Sequence, residues 1–319
     1  MVKKILMQSR IDHDTMECNQ KRKETACMDW FCLILISMVL SGINSFLFKG
    51  TAIKKINKFY ISATYVYVQF GLTLLLFLLT DPSFNNLKET IIFAIIISVG
   101  FYLRLICDLK AFEYIPTNIL LPVASLNVLV IVMFGYFFLN EKIKPIQFVG
   151  IFILMISVIL INRQAKRKND SIDGIKNLKK GLLFGFLGII PSSVANIFNK
   201  LAVTYVDMKL LSTCVLFFIA IISSAIYFTK YREEHRSLTK EHKKEVFKYS
   251  GIIGLFAFLA YITYLSSLRI GPLSLIMSIS SSSIVITVLL SAWKYKEELS
   301  WIRMAYIMLA VVGVALIRI

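Results

Sequence analysis

The chain has 319 residues, 57% of them hydrophobic, with a mean hydropathy of +0.72 and a formal net charge of +17. Soluble domains are roughly 45–50% apolar, so this composition excludes an ordinary soluble enzyme. The positive charge is no nucleic-acid footprint, because the basic residues lie in short connections between apolar runs, where they meet phospholipid headgroups.

Residues 1–29 read as a polar tail whose Met and Cys residues follow no helical period. The apolar residues then gather in runs of about 18–22, enough to cross a ~30 Å hydrocarbon core as helix. A barrel strand would need only about 10 alternating residues. The first run, 30–48, carries Ser41, Gly42, Asn44 and Ser45 and is followed by Lys49. It has full spanning length behind a charged tail, so no cleavable signal peptide is expected. The second is 59–79. The third, 91–109, contains Tyr102, Arg104 and Asp108. The fourth, 117–138, opens after Pro116 and holds Pro122, Ser125 and Asn127. A charged hairpin with Glu141 leads into the fifth, 146–161.

Residues 164–180 (QAKRKNDSIDGIKNLKK) form a polar linker between residues 30–163 and 181–319. The sixth run, 181–203, contains Pro191, Ser192, Ser193, Asn196, Asn199 and Lys200. The seventh is 210–229. The eighth, 247–268, adds Tyr261, Thr263, Tyr264, Ser266 and Ser267. The ninth, 272–293, opens at Pro272 and carries Ser278 and the serine run 280–283. A second hairpin with Glu297 precedes the tenth, 301–317.

The second half repeats the first. Residues 109–163 register without a gap on 265–319, offset by about 156 positions: Pro116 falls on Pro272, Ser125 on Ser281, Glu141 on Glu297 and Leu160 on Leu316. Each half holds five spans. An odd number makes the second half enter the membrane from the opposite side, so the expected fold is all-α and polytopic, with ten transmembrane helices in two inverted five-helix repeats.

No G-x-x-x-x-G-K-[ST] loop is present, so no phosphate cradle for ATP is expected. The five cysteines show no metal-like pairing, and His13, His235 and His242 all lie outside the spans. Neither a metal site nor a cofactor nor catalytic residues are expected. Polar residues inside spans carry the information, because burying them without partners costs a few kcal/mol each. Arg104 and Asp108 stand four apart and share one helix face. They could face a central cavity, with Arg104 meeting an anionic or zwitterionic solute and Asp108 orienting it or carrying a proton. They could equally form a structural ion pair with Arg104 snorkelling to the membrane edge. The matching positions of the second half are Ala260 and Tyr264, so the pair breaks the internal symmetry.

Tyr102, Asn44, Ser125, Asn127, Asn196, Tyr261, Tyr264, Ser278 and Ser281 are the other candidates for a substrate path, with helix packing the alternative for each. Lys49 and Lys200 are expected at helix ends near headgroups. Glu141 and Glu297 each precede a span, where a carboxylate meets unsatisfied N–H groups, and are expected to cap that span and fix the hairpin.

The segment Phe138-Leu139-Asn140-Glu141-Lys142-Ile143 with Gly150 after it, its second copy Lys296-Glu297-Glu298-Leu299-Ser300 with Gly313 after it, Pro116 and Pro272, and Lys49 and Lys200 together resemble the drug/metabolite transporter superfamily in its EamA-type, ten-span branch. The resemblance covers residues 30–319. It implies a helical basket whose cavity is lined by the first, third, fourth, sixth, eighth and ninth spans. The fifth and tenth would pack peripherally or at dimer contacts. It also implies cytoplasmic termini, whereas Lys and Arg concentrate in the odd-numbered connections, a pattern that places the termini outside. Tyr306 stands where the first half has Gly150.

The expected function is ATP-independent secondary transport or export of small polar organic solutes, amino acids or related metabolites, by alternating access in the cell membrane. The partners are a small-molecule substrate and membrane lipids, not nucleic acid; proton coupling and a homodimer stay open. Efflux of hydrophobic cations or drugs, and a non-transporting scaffold or lipid-carrier flippase subunit, are the alternatives.

Overall fold

The computed structural model describes residues 29–54, 58–80, 83–112, 114–115, 120, 123–164, 177–230, 240–296 and 300–319. Pro116, Pro122 and Glu297 lie outside these. Among the described residues every regular element is a helix. In hydrocarbon a helix is favoured because it satisfies each backbone group internally.

The first half comprises α1 (Trp30–Ile53), α2 (Lys58–Leu79), α3 (Leu87–Phe112), α4 (Asn127–Phe138) and α5 (Pro145–Gln164). The second comprises α6 (Leu178–Tyr205), α7 (Met208–Lys230), α8 (Lys240–Ile270), α9 (Leu273–Ser281), α10 (Ser283–Tyr295) and α11 (Trp301–Arg318). Among the described residues eight stretches are long and apolar enough to cross a membrane, and Val123–Phe138 and Pro145–Ile161 are shorter apolar helices. Together they make the ten spans of a multi-pass integral membrane protein.

The helices run past the apolar runs at several ends. α8 begins at Lys240, a turn and more before its apolar run, and Val246 in that extension is fully buried. α6 begins at Leu178, inside the polar linker. There Asn177 is extended and its side chain accepts the Lys180 N–H at 3.1 Å, an N-cap supplied by the linker itself.

The ninth span is two helices. Between α9 and α10 the Ser282 N–H bonds to Ile279 O at 3.0 Å and the Val285 N–H to Ser282 O at 2.9 Å, tighter i→i−3 bonds in place of helical ones. The fourth span breaks at the same register: Leu126 N–H bonds to Val123 O at 3.1 Å and Leu129 N–H to Leu126 O at 3.0 Å. Leu126 and Ser282 correspond in the duplication, as do Asn140 and Lys296, which both take left-handed backbone with φ of 51° and 50°. The repeat is therefore one of local backbone geometry as well as of sequence. In the second copy the serines explain the break. Ser281 and Ser282 donate their hydroxyls to Ser278 O at 2.7 Å and Ile279 O at 2.6 Å, and such back-bonding bends helices.

The two halves are interlocked. α1 packs on α8, and its symmetry mate α6 packs on α3; α2 packs on α8, and its mate α7 on α3. The pairs α2–α7 and α5–α11 join equivalent helices directly, and α4 packs on α9. Along the α1–α8 contact Ser37 donates to Ala260 O at 2.8 Å. Along α2–α8, Thr64 and Ser250 share a hydrogen bond at 2.5 Å and Gln69 donates to Ala257 O at 3.3 Å. Lipid tails are as apolar as the side chains, so close packing and interhelical hydrogen bonds of this kind hold the helices together. The outward faces carry Leu79, Phe137, Ile190 and Phe247. Trp293 and Trp301, 79% and 91% exposed, flank the hairpin between α10 and α11, the position of an interfacial aromatic anchor.

Candidate functional site

The candidate site is organised along one face of α6. Gly188 comes first. A Cβ there would sit 3.2 Å from the Arg104 Cδ and 3.1 Å from the Cys107 Cβ, so the glycine admits the arginine between α3 and α6. Arg104 Nε donates to Asp108 Oδ2 at 2.7 Å, with the two side chains 14% and 25% exposed. Arg104 Nη1 and Asp108 Oδ1 are both buried and have no partner among the described residues. The pair therefore keeps one donor and one acceptor in reserve.

One turn further along α6, Ser192 Oγ accepts from Asn127 Nδ2 of α4 at 3.3 Å. The next rung is Asn196. Its amide donates to Ser192 O at 2.8 Å, and its Oδ1 accepts from the Tyr264 hydroxyl of α8 at 3.0 Å. Tyr264 also reaches Met277 Sδ of α9 at 3.0 Å. Then Tyr261 donates to Asn199 Oδ1 at 3.4 Å, while Asn199 Nδ2 and Ser193 Oγ remain without partners among the described residues. Asn127, Asn196, Tyr261 and Tyr264 thus converge from three spans, α4, α6 and α8, and Pro191 lies within the same stretch of helix.

The other candidates stand apart from this ladder. Asn44 lies on α1, its Oδ1 buried and unpartnered among the described residues. Tyr102 is buried in α3. Ser125 lies just before the break at Leu126. Ser278 donates to Ser274 O at 2.8 Å and Ser281 back to Ser278, so both hydroxyls serve their own helix.

Two expectations need correction. Lys200 does not reach toward headgroups. It points inward, and its Nζ donates to Leu268 O at 2.6 Å and Gly271 O at 2.8 Å, at the end of α8. A cation there meets the negative end of the helix and its orphan carbonyls. Glu141 does not cap the helix that follows it. Its Oε1 accepts the Leu273 N–H at 2.5 Å and its Oε2 the Ser274 N–H at 3.0 Å, so it caps α9 of the other half. Pro272 stands at the N-cap position with extended backbone. The start of α5 is served instead by Gln147, whose Oε1 accepts the Lys144 N–H at 3.1 Å. The turn joining α8 to α9 is held by a lysine on the carbonyls before it and in it and by a glutamate on the amides that follow it.

Gly135 makes room for this clamp, because a Cβ there would lie 2.2 Å from Ser274 Oγ and 2.6 Å from Glu141 Oε2. A glutamate reaching across the sequence halves could not be read from the motif.

A duplicated ten-span helical bundle, with broken fourth and ninth spans and polar side chains converging on its interior, defines the class of membrane transport proteins. The chain belongs to the EamA-like transporter family, whose model matches residues 28–163 and again residues 179–319. No curated protein matches the chain in sequence. Among solved structures, a crystal structure described only as that of a protein is similar over 91% of this chain and 96% of its own, with a TM-score of 0.69 and 16% identity. At that identity the likeness speaks for the fold alone.

Proposed function

We propose that this protein is an ATP-independent secondary transporter of small polar organic solutes, amino acids or related metabolites, working by alternating access. The observation that carries the reading is the Arg104–Asp108 pair, which holds a spare donor and a spare acceptor inside the helix packing, at the head of the amide and hydroxyl ladder on α6. An unmet Arg–carboxylate pair is unfavourable to keep in a membrane interior. A solute bearing its own acceptor and donor would satisfy both atoms at once. The Asn127, Asn196 and Tyr264 groups would then fix its remaining polar atoms.

Efflux of hydrophobic cations finds less support. The charge of Asp108 is already offset by Arg104, and the Glu141 carboxylate is taken up by the α9 amides. The paired breaks at Leu126 and Ser282 supply places where the fourth and ninth spans could bend as access alternates.

The test uses the full chain reconstituted in liposomes. A thermal-shift screen of zwitterionic and anionic metabolites identifies a solute that stabilises the protein; saturation at about 100 times Kd adds roughly 2.7 kcal/mol. Counterflow of that solute is then measured for the wild type and for Arg104→Ala. The variant reaches the membrane and loses transport; transport at the wild-type rate would overturn the assignment.

A further inference from the structure

We infer that the groove between the end of α1 and the start of α8 is a binding site for the headgroup of an anionic phospholipid. It is lined by Lys54, Lys244, Glu245, Lys248, Tyr249 and Ile252. Its position follows from the packing. α1 and α8 run antiparallel, so Lys54, just beyond the first apolar span, meets the first turns of α8, whose apolar stretch opens at Lys243. The groove therefore sits at the level where hydrocarbon gives way to headgroups.

The charges inside it are not balanced. Lys54 is committed: its ammonium pairs with the Glu245 carboxylate and lies 5.0 Å from the centre of the Tyr249 ring. Lys244 and Lys248 are exposed, and neither has an ion-pair partner among the described residues. They stand four apart and so share one face of α8. Two uncompensated ammonium groups converge on a groove whose single carboxylate is already occupied. Below them the lining turns apolar at Ile252, and Phe247, 73% exposed, continues the apolar surface toward the lipid.

That order, cationic rim over aromatic and aliphatic floor, is complementary to an anionic phosphodiester above an acyl chain. A soluble anion would use the rim but gain nothing from the floor. A zwitterionic lipid would use the floor but bring its own cation to the rim.

The experiment is native mass spectrometry on the full chain, released from nanodiscs of equal dioleoylphosphatidylglycerol and dioleoylphosphatidylcholine. The wild type retains phosphatidylglycerol over phosphatidylcholine by about ten-fold or more, as two lysines near an anionic lipid allow. The Lys244→Gln/Lys248→Gln variant loses the preference, and Lys244→Arg/Lys248→Arg keeps it, which separates lost charge from lost fold. Inorganic phosphate at 10-fold molar excess over lipid leaves the retained lipid in place. Equal retention of the two lipids by the wild type, an undiminished preference in the glutamine variant, or displacement by phosphate would each overturn the inference.

Discussion

Glu141 and Lys200 hold the two ends of one turn, the glutamate on the amides that open α9 and the lysine on the carbonyls that close α8. Each is matched in sign to the helix end it meets. Removing one leaves buried backbone groups unsatisfied. Glu141→Ala is expected to destabilise the purified protein by about 2–4 kcal/mol, since two amides lose an ionised acceptor. Lys200→Met should cost less, about 1–2 kcal/mol, because carbonyls tolerate under-satisfaction better than amides. Thermal unfolding in detergent reads both, and additive losses in the double variant would show that the two grips are independent.

Gly135 belongs to the same clamp without making any bond of its own. Gly135→Ala places a methyl group inside the Glu141–Ser274 contact, and both partners are fixed by backbone hydrogen bonds. Overpacking of this kind costs about 1–3 kcal/mol. An unchanged melting temperature would mean that the carboxylate can leave the α9 amides freely.

The Arg104–Asp108 pair separates a structural role from a transport role. Removing either side chain alone strands a charge, and the loss expected for a buried pair is about 3–5 kcal/mol, reduced here by the exposure of Asp108. Arg104→Met/Asp108→Leu removes both charges and should recover most of that stability. If the pair binds solute, the recovered protein still fails in counterflow. Recovery of transport along with stability would show the pair to be structural.

Lys296 occupies left-handed backbone at the hairpin before α11, where the first copy has Asn140. Asparagine visits that region with less penalty than lysine. Lys296→Asn is therefore expected to stabilise the protein by up to about 1 kcal/mol, seen as a higher melting temperature.

Lys54 titrates above the usual lysine range, chiefly because the Glu245 carboxylate bonds to its ammonium, with Tyr249 adding to the effect. A raised pKa means that this contact is present in full below the ordinary lysine value and is lost as pH climbs through the higher, folded-state value. Near pH 8.5, amine-directed labelling read by mass spectrometry should modify Lys54 more slowly than Lys244 and Lys248. Equal rates would show that the pair does not persist in solution.

The helices were legible because a bilayer leaves little choice. A run of about 20 apolar residues can satisfy its backbone only as a spanning helix, and ten such runs in a duplicated register carry the fold. The joints were not legible. Val123 to Leu126 offers only Ser125 where the second copy has the serine run 280–283, too little to mark a break. Lys200 misled for a physical reason: near the end of an apolar run, snorkelling and inward capping call for the same residue. Glu141 was recognised as a cap, yet which helix it caps depends on what folds beside it. Of the polar residues of α6 only Asn196 was a candidate for the substrate path, and the hydrogen-bonded order from Ser192 to Asn196 to Asn199 emerges only when α4 and α8 are brought against them.

The interlocking of the halves also sets a timetable for synthesis. α1 finds its principal neighbour in α8, whose first residue is made roughly 190 residues after α1 is complete. At about 5–20 residues per second that is a wait of about 10–40 s. Throughout it, the face of α1 that will donate the Ser37 hydroxyl to Ala260 has no permanent partner. The nascent first helix must be sheltered by the insertion machinery or by lipid until most of the chain has emerged, so a ribosome that stalls in the linker would leave α1 exposed.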